Sequence, residues 1–96
     1  MSFKHITSSA AKDLLEDNKE AILVDIRDHD SFNMDHDERA FHLTQDSLPD
    51  FLINVQKDIP VLVICYHGNS SQMVAQFLID NGFTEVYSVD GGYELW

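Results

Sequence analysis

The feature that most constrains this chain is a short apolar run that ends at its single cysteine. Residues 61–64 are valine, leucine, valine and isoleucine, and Cys65 follows them directly. A polar loop containing Gly68 comes next, and an amphipathic pattern then runs to Gly82, a residue type that often ends a helix in the left-handed conformation. The pattern predicts a strand, a loop and a helix, with the thiol facing the start of the helix.

Apolar runs of strand length alternate with helical patterns along the rest of the chain. We predict strands at 3–6, 21–25, 40–43, 61–64 and 86–89, and helices that begin near Thr7, Asp28, Ser47 and Ser70. This alternation indicates one α/β domain over residues 1–96, with a mainly parallel sheet and helices on both faces. In the helix after the cysteine loop, we expect the buried face to carry Met73, Val74, Phe77 and Leu78.

Composition excludes several classes of partner. The net charge is −11, and the six Lys and Arg residues are scattered, which argues against nucleic acid and anionic membranes. No apolar run approaches the roughly 20 residues that a membrane-spanning helix needs, and the first residues lack the apolar segment of a secretory signal. One cysteine cannot form an internal disulfide, so we expect a free thiol and a cytoplasmic protein.

The loop after the cysteine suits an anion. A free thiol has a pKa of roughly 8.5, and a helix N-terminus lowers that pKa through its unpaired N–H groups and its macrodipole. Gly68 permits a positive φ in the bend, Asn69 tolerates one, and Ser70 or Ser71 can cap the helix. The alternative interpretation is a buried structural cysteine at the end of a strand.

Three familiar cysteine and metal chemistries fit the sequence poorly. A Cys-His hydrolase needs a histidine base beside the thiol, but His67 is only two residues away and the other histidines cannot be placed. A metal site needs several ligands at short spacings, whereas His36 lies in an acidic segment typical of a solvated turn. Cysteine phosphatases use C-x5-R, and this chain has Ser71 at the arginine position. Sulfur transfer remains, because a thiolate that attacks a sulfane sulfur needs no base.

The same residues resemble a known family. The chain is similar to the single-domain rhodaneses, and among them to the bacterial thiosulfate sulfurtransferases encoded with glycerol-3-phosphate metabolism genes. The matching segments span nearly the whole chain and comprise residues 24–28, Ser31, Phe32, His36, residues 40–44, residues 65–71, residues 90–93 and Trp96.

The resemblance implies a fold, an activity and a site. The fold is a five-stranded parallel sheet with helices on both faces, and the activity is that of a thiosulfate:cyanide sulfurtransferase. Cys65 is then the nucleophile and persulfide carrier, thiosulfate is the donor, and cyanide or a dithiol such as thioredoxin is the acceptor. No metal or organic cofactor is implied, and we expect a monomer. The loop that cradles the substrate with its backbone amides would comprise Tyr66, His67, Gly68, Asn69 and Ser70, together with Ser71.

Two questions stay open at this stage. Asp25 and Arg27 could shape the site, or they could only position the helix that follows them. The chain could also be a non-enzymatic persulfide relay or a rhodanese-like binding module, although an intact cysteine and loop favour the enzyme.

The chain also departs from the family pattern. Asp35 stands where a glycine is usual, residues 37–39 are charged, and Gln72 replaces a basic residue found in some close members. Relatives usually continue through a C-terminal helix, whereas this sequence ends at Trp96. We therefore expect an acidic patch at 35–38 and one fewer positive charge for thiosulfate.

Overall fold

Strands and helices alternate along residues 2–96, the part of the chain that the structure, a computed structural model, describes. The elements are β1 (Lys4–Ile6), α1 (Ser8–Asp17), β2 (Ile22–Asp25), α2 (His29–Met34), β3 (Ala40–His42), α3 (Leu48–Asn54), β4 (Val61–Ile64), α4 (Ser70–Asp80), β5 (Val86–Val89) and a 3₁₀ turn (Tyr93–Leu95). All five predicted strands are therefore confirmed. Within residues 2–96, no helix is both long enough and apolar enough to cross a membrane.

The strands form one sheet in the order β1-β5-β4-β2-β3, and each neighbouring pair is parallel. This confirms the predicted α/β fold. β4 lies at the centre, and all four of its residues are buried, as expected for an inner strand covered on both faces. The carboxyl ends of parallel strands share one edge of the sheet, so Cys65 lies in the middle of that edge.

The alternation of side chains along β4 divides the core into two layers. Val61 and Val63 point to the face that packs against α3 and α4, in a cluster with Leu78 and Phe83. Leu62 and Ile64 point to the opposite face, where α1 contributes Ala11 and Leu15. Each buried Val, Leu or Ile contributes about 1.5–3 kcal/mol relative to exposure, so this central strand is strongly fixed in register.

Local sequence determines most helix ends. The Thr7 side chain accepts a hydrogen bond from the Ala10 amide at 3.1 Å, and the Asp28 carboxylate accepts from the Ser31 amide at 3.2 Å. Gly82 follows α4 with a φ of +100°, which confirms the predicted left-handed ending. At α3 the expected cap differs, because the Ser47 hydroxyl accepts from the Thr44 amide at 2.8 Å instead of from an amide of the helix.

The predicted buried face of α4 is partly wrong. Met73 is 78% exposed and Phe77 is 42% exposed, whereas α4 buries Ser71, Ala75, Leu78 and Ile79. The two candidate faces overlap at Leu78, and both carry enough apolar residues to satisfy the helical period. The sheet selects the face with the small side chains of Ser71 and Ala75, because these allow the first turns of α4 to lie close to the central strands.

Candidate active site

Cys65 lies directly after β4, and the four loop residues 66–69 separate it from α4. The residue is only 5% exposed, so its sulfur can be reached only from the loop side. Gly68 has a φ of +96°, and its amide donates a hydrogen bond to the Cys65 Sγ at 3.1 Å. The bend therefore turns the backbone around the sulfur, as the glycine predicted.

The hydrogen bonds around the sulfur favour its anionic form. Burial by itself raises the pKa of the Cys65 thiol, but the side-chain hydroxyl of Ser71 and the amides of Ser71, Gly68 and His67 lower it further than burial raises it. The net effect is a pKa below the ordinary thiol value. The structure thus places the Cys65 thiol in a cradle, built mainly of backbone amides, that favours its thiolate form.

The other predicted loop residues occupy different positions. Tyr66 and His67 are exposed at the mouth of the loop, and Asn69 and Ser70 are also exposed. Asn69 precedes α4 with a helical φ of −95°, so only Gly68 uses the positive φ that we expected either residue to accept. Neither serine caps the helix, since Asn69 occupies the N-cap and Ser71 is buried inside. The role of Tyr66, Asn69 and Ser70 in holding substrate stays a prediction.

A second loop, which sequence reasoning did not assign to the site, holds the cysteine loop from behind. The amide of Tyr93 donates to the Cys65 carbonyl at 2.7 Å, and the amide of Glu94 donates to the Tyr66 carbonyl at 3.1 Å. A Cβ on Gly92 would lie 2.5 Å from the carbonyl oxygens of Cys65 and Tyr66, so only glycine permits this approach. The adjacent glycines at 91 and 92 were the available signal, although the sequence alone does not show which segment they approach.

Asp25 and Arg27 form a buried ion pair at the end of β2. The Arg27 guanidinium donates to both carboxylate oxygens of Asp25 at 2.9–3.1 Å and to the Asp35 carbonyl at 2.7 Å. It also lies over the Tyr93 ring, 4.0 Å from the ring centre. Burial lowers the pKa of Arg27, while the hydrogen bond and charge of Asp25 raise it, with a net increase. The pair therefore connects β2, the turn after α2 and the loop that holds Cys65.

The segment that departs from the family pattern is less acidic in effect than its composition predicts. Asp37 accepts two hydrogen bonds from the Arg39 guanidinium, both at 2.9 Å, and one from the Trp96 indole at 3.0 Å. Bonding to Arg39 holds the pKa of Asp37 well below its usual range, although burial acts in the opposite direction. Among the acidic residues of this segment, only Asp35 and Glu38 are exposed, so the expected acidic patch is reduced to those two residues.

Gln72 supports the loop through an uncharged contact. Its side-chain amide donates to the Gly68 carbonyl at 3.0 Å, across the first turn of α4. This bond helps to fix the orientation of the Gly68 peptide, whose amide faces the sulfur. Gln72 therefore stabilises the cradle without adding the positive charge that a basic residue would bring.

The histidines lie apart from the sulfur. His67 faces Glu94 at 3.5 Å, and within residues 2–96 no histidine donates or accepts a hydrogen bond at Sγ. His36 and His42 both stack on the Phe32 ring, with centroid distances of 3.8 and 4.2 Å. Across the described residues, no group of three or more His, Cys, Asp or Glu side chains could hold a metal ion. The arrangement is thus a buried thiol with hydrogen-bond donors that favour its anion and, among the described residues, without a histidine bonded to it.

Comparison with known proteins agrees with this geometry. The rhodanese-like domain family matches residues 7–96. The thiosulfate sulfurtransferase GlpE of Vibrio cholerae is 53% identical over 94 residues, which cover 98% of this chain and 88% of the relative. A rhodanese-like domain protein from Staphylococcus aureus has a similar crystal structure, with a TM-score of 0.84, 29% identity and coverage of 98% and 91% of the two chains. A Staphylococcus saprophyticus protein superposes with a TM-score of 0.80 at 28% identity, over 96% of this chain and 91% of the other.

Proposed function

The chain belongs to the rhodanese-like family, and we propose that it is a thiosulfate sulfurtransferase in which Cys65 carries the sulfur as a persulfide. The observation that carries the proposal is the depressed pKa of a buried cysteine surrounded by backbone amides. The 53% identity to a thiosulfate sulfurtransferase over nearly the full chain supports the choice of donor.

Transfer of sulfur from thiosulfate to Cys65 balances in atoms and charge without the movement of a proton. The Cys65 thiolate attacks the outer sulfur of thiosulfate, a sulfur–sulfur bond forms, and the bond to the sulfonate group breaks with release of sulfite. The three negative charges of thiolate and thiosulfate become one on the persulfide and two on sulfite. An acceptor nucleophile then takes the outer sulfur and restores the thiolate, which completes a ping-pong cycle.

The cradle is suited to both anions of this cycle. The amides of Gly68, His67 and Ser71 favour a negative charge on the Cys65 sulfur, and the persulfide places its charge one bond further out in the same loop. Preorganised donors of this kind stabilise charge without reorganising during the reaction. The Arg27 charge is engaged by Asp25, so the backbone supplies most of the electrostatic stabilisation.

The acceptor approaches from the exposed side of the loop. Tyr66 is 49% exposed and His67 lies beside it, so these side chains border the route to the sulfur. We assign cyanide in the assay and a dithiol such as thioredoxin in the cell as acceptors, because each supplies a nucleophile small or mobile enough to reach a sulfur that is almost fully buried. A monomer in the cytoplasm is proposed, since a thiol that must stay reduced favours that compartment.

The activity is tested by incubating the protein with thiosulfate and cyanide and measuring thiocyanate. We expect thiocyanate formation by the wild type and none by Cys65→Ser, which removes the only thiol. Mass spectrometry after thiosulfate alone should show the gain of one sulfur atom in the wild type only. A wild type that makes no thiocyanate, yet gains sulfur from another persulfide donor, would favour the non-enzymatic relay. Undiminished thiocyanate formation by Cys65→Ser would refute the role of this cysteine.

A further inference from the structure

A groove lined by apolar side chains runs along α4 at the carboxyl edge of the sheet. It lies between α4, the start of α3 and the ends of β2 and β3, and its volume is about 480 Å³. Clustered apolar side chains on an open surface mark an interaction site, whereas single exposed ones do not. We call this surface the α4 groove, and its apolar lining comprises Ile26, Leu43, Leu48, Met73, Val74 and Phe77.

The α4 groove borders the cysteine loop on two sides. The Ile26 amide donates a hydrogen bond at 3.0 Å to the carbonyl of Ile64, the residue that precedes the thiol. On the helix side, Met73 follows Gln72, whose side chain donates to the Gly68 carbonyl at 3.0 Å. A molecule seated in the groove would therefore lie against the loop that carries the sulfur.

Charge limits what can occupy the groove. Among the described residues, none of the side chains that line it is charged, although 24% of the chain is. The adjoining cavity shares part of this lining and adds the exposed carboxylates of Asp28 and Asp46, while its Arg27 is bound to Asp25. A second copy of this chain, at a net charge of −11, or an anionic lipid surface would be repelled here. An apolar protein surface free of acidic residues is complementary to it.

The burial of the sulfur determines what this protein surface must carry. Cys65 is 5% exposed, so a protein acceptor has to bring its own thiol to the mouth of the loop while its surrounding surface rests beside the loop. Seven large hydrophobic side chains of residues 2–96 are exposed, and three of them, Tyr66, Met73 and Phe77, belong to the cysteine loop and α4. Protein interfaces bury apolar anchors of this kind at their centre. The exposed apolar surface thus lies where a protein acceptor has to sit.

We propose that the α4 groove is the docking surface for the sulfur acceptor, a protein dithiol whose reactive cysteine lies on an apolar surface free of acidic residues. This inference rests on the proposed role of Cys65 as the sulfur carrier and deepens it by assigning the surface that the acceptor uses.

The transfer to such a partner balances in atoms and electrons. One thiolate of the partner attacks the outer sulfur of the Cys65 persulfide, the sulfur–sulfur bond breaks, and Cys65 leaves as its thiolate. The partner's second thiol then attacks its own persulfide, forms a disulfide and gives its proton to the departing sulfur, which leaves as hydrosulfide. The dithiol is oxidised by two electrons, and the transferred sulfur is reduced to sulfide.

The test compares a protein dithiol with acceptors too small to use the groove. Sulfide release from thiosulfate is measured with reduced thioredoxin as the probe and with dithiothreitol, and thiocyanate formation is measured with cyanide. In a ping-pong cycle, kcat/KM for each acceptor reports the second step alone. We expect the double variant Met73→Ser/Phe77→Ser to lower kcat/KM for thioredoxin about tenfold and to keep the values for dithiothreitol, cyanide and thiosulfate within about twofold of wild type.

Met34→Ser is the matched control, because this methionine is 87% exposed on α2 and lies outside the groove. It should keep the wild-type kcat/KM for every acceptor, and thermal unfolding establishes that each variant is folded. If the double variant does not fold, Met73→Ser alone changes a side chain that is 78% exposed and should lower kcat/KM for thioredoxin about threefold. An equal loss in Met34→Ser, an equal loss for dithiothreitol, or no loss for thioredoxin in a folded groove variant would overturn the proposal.

Analytical ultracentrifugation at the assay concentration tests the other occupant. A monomeric wild type supports the proposal, whereas a dimer that the groove substitutions dissociate would overturn it, since the groove would then hold a second copy of this chain. Thiocyanate formation from thiosulfate and cyanide does not involve the groove. A failure of the docking proposal is therefore distinguishable from a failure of the proposed enzyme activity.

Discussion

Gly92 is the position at which adding a single methyl group should most disturb the cysteine loop without contacting the sulfur. Its backbone has a φ of +61° and a ψ of −159°, a region that residues with a Cβ rarely adopt. An alanine Cβ would also lie 2.5 Å from the Cys65 and Tyr66 carbonyl oxygens. Both groups are backbone atoms of the cysteine loop, so the clash can be relieved only by moving that loop or the turn behind it.

The expected destabilisation follows from two sources. The strained backbone costs about 1–3 kcal/mol. Separation of the two loops breaks the bonds from the Tyr93 and Glu94 amides, at about 0.5–1.5 kcal/mol each. The sum is about 2–6 kcal/mol, a large part of the roughly 5–15 kcal/mol that holds a small domain folded. At about 4–8 °C per kcal/mol for a domain of this size, the melting temperature should fall by at least about 8 °C.

Gly82→Ala is the matched control. Gly82 also has a positive φ, of +100°, but nothing lies within 4 Å of the Cβ that alanine would add. We expect Gly82→Ala to lose about 1–2 kcal/mol and to keep wild-type thiocyanate formation. Gly92→Ala should be less stable than this control and should lose about 100-fold or more in kcat/KM, because small displacements of catalytic groups have large effects on rate. Equal stability of the two variants together with wild-type turnover by Gly92→Ala would refute the reasoning.

Three further predictions test charges. The Asp37 carboxylate stabilises the fold at pH values above its unfolded pKa of about 3.9, because its folded pKa is depressed, and this stabilisation is lost as the pH falls towards the folded pKa. Asp37→Asn should therefore lower the melting temperature at neutral pH, and by progressively less towards about pH 3. A difference in melting temperature that stays constant across the pH series would contradict this. Asp25→Asn leaves the buried Arg27 without a full counter-charge, so the free energy of unfolding, measured with urea, should fall by about 3–5 kcal/mol. A decrease below about 1 kcal/mol would contradict this. The KM for thiosulfate should fall with added inert salt, because the net charge of −11 repels a dianion and salt screens this over about 8–10 Å; a KM that rises steadily would contradict it.

The elements of the fold were largely predictable from local patterns. Continuous apolar runs identified the inner strands, including the one before Cys65, because both faces of such a strand are buried. Thr7, Asp28 and Gly82 indicated helix ends, since their capping contacts are made within a few residues. The inward face of α4 was not predictable in the same way. Met73 and Phe77 fit the helical period, yet the close approach of the helix to the sheet selected the face with smaller side chains.

The candidate site likewise has features that local sequence predicts and features that only tertiary contacts establish. The position of Cys65, the bend at Gly68 and the absence of an arginine at 71 were enough to predict a thiolate in an amide loop, because these features lie within a few consecutive residues. The contacts that position this loop come from Tyr93 and Glu94, about thirty residues away. No local pattern marks such contacts, since they exist only after β4 and β5 have paired.

The sequence by itself determined that a cysteine ends a buried parallel strand and faces the N-terminus of a helix, since strand burial, the glycine bend and the helical period are local properties of the chain. The tertiary structure decided what surrounds that sulfur. Pairing of β5 with β4 brings the Ser88 hydroxyl to Ser71 and the glycine turn against the Cys65 carbonyl. The amides that favour a negative charge on the sulfur come from the loop itself. The amides of Tyr93 and Glu94, which hold that loop in place, reach it only because β5 has paired with β4.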